Sequence, residues 1–148
     1  EVVGGVVCDD SSNLLTVCES GYGKRTPMTE YLVQSEDGST RAQNRGGKGR
    51  IDIRTEGRNG KVIGVRCVAE QDTLLFTTRN GMMVHISAAQ IRQVGRNTQG
   101  VRLVSLSDGD LVAAVAKVVA GDESEAEIVA PPQDDATGEP TDDSPAGE

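Results

Sequence analysis

The chain has very few aromatic residues: two tyrosines, one phenylalanine and no tryptophan among 148 residues. Recognition of single-stranded nucleic acid by base stacking needs aromatic faces, so binding of that kind is not expected. Histidine is scarcer still. His85, the single one, lies in the apolar stretch Met83–Ile86, where a packing or surface role is the ordinary reading. No Ser/His/Asp set, Walker phosphate loop, HExxH motif or CxxC pair occurs, so no catalytic residue and no metal ligand is assigned. Cys8, Cys18 and Cys67 are widely spaced within apolar runs, which suits buried free thiols in a reducing compartment. No apolar run approaches the ~20 residues of a membrane helix, and no signal peptide opens the chain. A soluble cytoplasmic protein with no membrane partner is expected.

Glycine, by contrast, is abundant at 18 residues, and it accompanies many Val, Ile and Thr. That mixture favours short strands joined by glycine turns over helices. Charge is unevenly divided. Ten of the 23 acids fall between Val119 and Glu148 with no Lys or Arg, leaving 13 acids against all 15 bases in Glu1–Val118, a net of +2. The overall net charge of −8 therefore averages a mildly basic body and an acidic tail.

The body repeats itself. At an offset of 60, Glu1-Val2-Val3-Gly4 falls on Lys61-Val62-Ile63-Gly64, Leu14–Val17 on Leu74–Thr77, and Gly21 on Gly81. After Arg45 the offset is 51, with Arg45 on Arg96 and Gly49 on Gly100; later it is 49, with Gly60 on Gly109 and Val62-Ile63 on Leu111-Val112. The polar stretch Gln34–Arg41 reads as a loop inserted in the first copy. Without it the period is about 50 residues, the length of a propeller blade. The array is expected to begin on the closing strand of a preceding unit, as a piece of a longer protein would.

Strands are expected at Val2–Val7, Leu14–Cys18, Gly23–Thr26, Ile51–Arg54, Val62–Val68, Thr73–Thr78, Met82–Ile86, Val101–Ser105 and Leu111–Val118. Ser20-Gly21 and Asn80-Gly81 are tight-turn dipeptides, and Thr29–Val33 and Ser87–Ile91 are matched places for a helical turn. The expected fold is all-β: about two four-stranded, propeller-like blades over residues 1–118. The tail over 119–148, rich in Pro, acids and small residues, has too little to bury to offset the entropy of ordering and is expected to be disordered.

The chemistry left to the body is cationic. Gln43–Arg50 sets Arg45, Lys48 and Arg50 around Gly46, Gly47 and Gly49. Glycine lets backbone N–H groups approach an anion, while Arg and Lys neutralise phosphate charge. For a single loop, a structural glycine turn with ordinary surface bases is the favoured reading. The second copy, however, carries Arg96 and Arg102 at the matching place, and Lys24, Arg25 and Arg79 stand at or after the matching turns. Recurrence in both repeats sets nucleic-acid binding beside the structural reading. With so few aromatics, contacts to the backbone of a duplex fit better than stacking on single strands.

Several segments, in order, closely resemble the C-terminal domain of bacterial DNA gyrase A: Glu19–Tyr31 (ESGYGKRTPMTEY), Gln43–Gly49 (QNRGGKG), Glu56–Val65 (EGRNGKVIGV) and Ile91–Val118. The resemblance covers about residues 1–118. It implies a β-pinwheel, a ring of four-stranded blades with strands exchanged between neighbours, whose basic rim wraps double-stranded DNA. The wrap supports ATP-dependent negative supercoiling by the holoenzyme. The resemblance places the DNA-cleaving tyrosine in a missing N-terminal part, which also joins gyrase B and a second copy of gyrase A. ATP and Mg²⁺ act elsewhere, so no cofactor is expected here. The family's wrapping box reads Gln-Arg-Arg-Gly-Gly-Arg/Lys-Gly and belongs to its first blade. Asn44 departs from it, so Gln43, Arg45, Gly46, Gly47, Lys48, Gly49 and Arg50 are expected to form a late-blade relative of the box that shares the rim without carrying the wrap alone. The alternatives are the related C-terminal domain of topoisomerase IV and a propeller-like protein-interaction module. The acidic tail could compete with DNA for the rim or merely solubilise; in the first case, truncation after Lys117 tightens binding at low salt.

Overall fold

A computed structural model describes residues 2–118 of the chain. The tail expected to be disordered, 119–148, lies outside the described residues.

The described residues form strands and short turns throughout. The first hairpin joins β1 (Asn13–Cys18) to β2 (Tyr22–Pro27), and a 3-10 turn follows at Met28–Tyr31. Two short strands, β3 (Val33–Gln34) and β4 (Thr40–Arg41), come next, and β5 (Val62–Val68) closes the unit. The second unit repeats the plan: β6 (Thr73–Thr78), β7 (Met83–Ser87), a 3-10 turn at Ala88–Gln90, β8 (Val101–Arg102) and β9 (Val112–Val118). The two helical turns expected from the sequence are thus 3-10 in geometry and nearly in place.

Backbone pairing reproduces the repeat residue by residue. Asn13 faces Pro27 across β1/β2, as Thr73 faces Ser87 across β6/β7. Asn13 also faces Val68 across β1/β5, as Thr73 faces Val118 across β6/β9, and each ladder slips once, at Val17/Cys18 and at Thr77/Thr78. Register therefore sets Val62 against Val112, one residue beyond the match of Val62 with Leu111 read from the sequence. Asp110 absorbs the difference. In the first unit the Ser20 N–H donates to the Asn59 carbonyl at 3.3 Å; in the second the Asn80 N–H donates to Asp110 Oδ1 at 3.1 Å, a side chain standing in for a backbone acceptor.

The first sheet runs β5-β1-β2-β8 and the second β7-β6-β9. The outer strand of the first blade comes from the second repeat: Tyr22 faces Arg102 and Gly23 faces Val101. Four strands thus complete the first blade, its fourth place being filled from the repeat that follows, and three form the second. Among the described residues no strand lies beyond β7.

Some expected strands are absent or shortened. Val2–Val7 is exposed and forms no ladder. Ile51–Arg54 makes only a single parallel bridge, Ile53 to Thr98, and Val101–Ser105 shortens to β8. The inserted segment, expected as a loop, is a hairpin in which Val33 pairs with Arg41 and Gln34 with Thr40. The thiols are free, but Cys18 alone is buried; Cys8 and Cys67 are half-exposed.

One core lies between the sheets, with Leu15, Val17, Val68, Leu74, Phe76, Val112 and Val115 buried together. In β6 the alternation is plain: Leu74, Phe76 and Thr78 are buried while their neighbours are less so. Each such apolar side chain contributes about 1.5–3 kcal/mol on burial, and the core fixes which strand faces point outward.

Candidate nucleic-acid interface

In the Gln43–Gly49 loop, Asn44–Gly47 is a turn closed by the Gly47 N–H donating to the Asn44 carbonyl at 3.4 Å. Gly46 holds its third position at φ +77°, a left-handed conformation that side chains other than Asn or Asp rarely adopt. Arg45 stands at the exposed second corner. Gln43 Nε2 donates to the Lys48 carbonyl at 2.6 Å and braces the loop across its base. Val33, Arg41, Gln43, Asn44, Gly47, Lys48 and Arg50 line an open cavity of about 230 Å³. Among the described residues the ion pairs are Lys24–Asp52 and Lys117–Asp72, so Arg41, Arg45, Lys48 and Arg50 have no carboxylate partner there. Four exposed cations thus occur in a ten-residue stretch without an acid.

The second basic loop, Gly95–Arg102, lies against the chain that follows the first. The Asn97 N–H donates to the Asp52 carbonyl at 2.6 Å and the Arg54 N–H to the Thr98 carbonyl at 2.8 Å. Arg54 Nε reaches Asn97 Oδ1 at 3.0 Å, with Asn97 at φ +53°. The second loop is therefore fixed to Asp52–Arg54, the segment that follows the first.

Lys24 explains how they are joined, and its assignment as a DNA contact is corrected. Its side chain is 0 % exposed, and Nζ is 3.0 Å from Asp52 Oδ1 while donating to the Asp52 carbonyl at 2.7 Å and the Gly95 carbonyl at 2.9 Å. An ammonium has three protons, and all are engaged by Asp52 and Gly95. Lys24 is a buried tie between them, with nothing left for a phosphate. Arg25, on the opposite face of β2, is corrected likewise: it is 6 % exposed, so a phosphate would meet at most an edge of its guanidinium. Position after a turn does not reveal that β2 is covered on both faces.

Asp52 also accepts from Thr16 Oγ1 at 2.6 Å and from the Tyr31 hydroxyl. Burial, then the bond to Asp52 and its charge, push the Tyr31 phenol well above its ordinary pKa. The Arg96 guanidinium lies over the Tyr31 ring at 5.9 Å and is half-buried. Arg102 is exposed, 5.5 Å from the Tyr22 ring centroid, with Nη2 donating to the Tyr22 hydroxyl at 3.0 Å. Arg58 covers the same ring at 4.7 Å. The Arg102 hydrogen bond, followed by the charges of Arg102 and Arg58, holds the Tyr22 phenol below its usual value. Phe76 is buried, so each of the three aromatics is occupied within the protein. Arg79 is exposed at the β6–β7 turn and joins none of these contacts.

Recurrence does not find Arg41, which falls on Arg92 only when the offset of 51 is carried back ahead of Arg45, or Arg58, which has no counterpart in the other repeat. The acid-free run from Arg41 to Arg50 is the signal available for the first. Among the described residues no group of three or more His, Cys, Asp or Glu side chains converges as a metal site.

Repeated antiparallel blades, one completed by a strand from the next and carrying exposed, unpaired arginines on their connecting loops, define a propeller-like repeat domain with a basic surface. The profile of the family described as "DNA gyrase C-terminal domain, beta-propeller" matches residues 12–39, 41–69 and 72–118, and the chain belongs to that family. DNA gyrase A of Staphylococcus epidermidis is 41% identical over 119 residues, 79% of this chain and 12% of that protein. Its Staphylococcus aureus counterpart is 41% identical over 120 residues, covering 80% of this chain and 12% of its own. The chain thus spans about an eighth of the curated relatives it matches. The solved gyrase A C-terminal domain superposes with a TM-score of 0.60 at 25% identity, over 72% of this chain and 33% of that one. The C-terminal domain of DNA topoisomerase IV shares the fold, with a TM-score of 0.57 at 20% identity over 76% and 31%.

Proposed function

We propose that this chain binds double-stranded DNA along its basic loops and contributes to wrapping it, as part of a gyrase A protein. The observation that carries this reading is the set of exposed cations without carboxylate partners at Arg41, Arg45, Lys48 and Arg50. Occupied aromatics leave no free stacking platform, so the contacts are to phosphate and carry little sequence preference. In the complete enzyme, such a wrap would feed DNA to a strand-passage core formed with gyrase B and a second copy of gyrase A. Catalysis and ATP-driven supercoiling would reside outside this chain, in the bacterial cytoplasm.

Duplex affinity measured against salt tests the reading. Phosphate neutralisation predicts that log K falls linearly with log salt, by about 0.9 for each phosphate contacted. Weak, salt-independent association of folded protein would instead favour a protein-interaction module.

A further inference from the structure

The inserted β3–β4 hairpin has no equivalent in the second repeat, yet it ends at the basic loop. Its turn is self-contained: the Ser35 N–H donates to the Ser39 carbonyl at 2.7 Å, and Asp37 Oδ1 accepts from the Ser39 N–H at 3.0 Å and hydroxyl at 2.6 Å. The acidic tip is thereby tied to its own serines, and the last residue of β4 is Arg41. Arg41 Nη1 donates to Asn44 Oδ1 at 2.8 Å and to the Ala42 carbonyl at 3.2 Å. One edge of the guanidinium is fixed by neutral acceptors. Among the described residues Nη2 and Nε have no hydrogen-bond partner, and Lys48 and Arg50 are the other cations among the residues that line the cavity with Arg41.

We propose that Arg41, delivered by the inserted hairpin and oriented by Asn44, binds a phosphodiester of the duplex in this cavity together with Lys48 and Arg50. The proposal rests on the DNA-binding reading above and deepens it. Arg41 carries the contact, and Asn44 is a positioning residue. A guanidinium held on one edge by a neutral amide keeps its full charge and loses less conformational freedom when its free edge meets an anion. The hairpin therefore adds a cation to those the loop itself carries.

The test is duplex affinity of the full 148-residue chain as a function of salt, with Arg41→Ala, Asn44→Ala, the double variant, and Arg66→Ala, at the exposed position of β5, as a charge-loss control. Arg41→Ala is expected to reduce the log–log slope by about 0.9, so that it loses about threefold less affinity than the parent between about 50 and about 200 mM salt. Asn44→Ala should weaken binding in the parent and change nothing once Arg41 is absent, while Arg66→Ala keeps the parental slope. A parental slope for Arg41→Ala, or equal Asn44→Ala effects in both backgrounds, would overturn the proposal while leaving DNA binding intact. A parent with no salt-dependent duplex affinity would remove the underlying reading as well.

Discussion

Lys24 sits opposite Thr16 across β1/β2, and sixty residues on, Val84 sits opposite Phe76. Asp52 and Tyr31 correspond in the same way to Leu103 and Ile91. The first unit thus fills with a hydrogen-bonded polar cluster the place where Val84, Ile91 and Leu103 gather in the second. Breaking a buried pair strands its partner, so Lys24→Val should cost about 3 kcal/mol in chemical denaturation. Lys24→Val with Asp52→Leu should recover part of that loss, because an apolar pair replaces an uncompensated charge. The tyrosines make a second prediction by absorbance at alkaline pH. Tyr22, held below its ordinary pKa, ionises first, and Arg102→Ala should move that step upward by removing the hydrogen bond that favours the phenolate. Tyr31, raised in the fold, contributes stability that is present below the unfolded phenol pKa and is withdrawn as pH climbs above it.

Strand exchange depends on glycines that leave no room for a Cβ, Gly100 among them. Gly100 lies at φ +70°, and a Cβ there would run into the Gly23 carbonyl as β8 meets β2. Gly49, its counterpart in the repeat, has open space around it. Gly100→Ala should therefore destabilise the chain by about 1–3 kcal/mol in thermal or denaturant unfolding, with Gly49→Ala close to neutral. Identical glycines in a sequence repeat do not reveal this difference, which depends on whether a partner strand is present. The hairpins are legible in the sequence: Ser20-Gly21 and Asn80-Gly81 sit at their turns, and apolar alternation marks β6. The exchange of β8 is not legible from periodicity, because a two-residue strand has no pattern of its own. The family resemblance supplies that expectation. The insertion is legible as extra chain but not as a hairpin, since Ser35, Asp37 and Ser39 close a turn that composition alone makes look like coil.

Across the molecule, charge and burial sort the basic residues that sequence could only gather. Recurrence finds Arg45, Lys48, Arg50, Arg96 and Arg102, but it also gathers Lys24 and Arg25, which the covered β2 strand takes out of reach. It passes over Arg41 and Arg58, whose surroundings are unique to the first unit. The resulting picture is a loop on which Arg41, Arg45, Lys48 and Arg50 stand exposed, followed by a segment that one buried lysine ties to Gly95. The most direct test replaces Arg45, Lys48 and Arg50 with alanine together and compares the salt dependence of duplex affinity with that of the parent chain. If each cation neutralises one phosphate, the log–log slope falls by about 2.7 while the unfolding midpoint stays put. An unchanged slope in a folded triple variant would contradict the assignment of this loop to DNA.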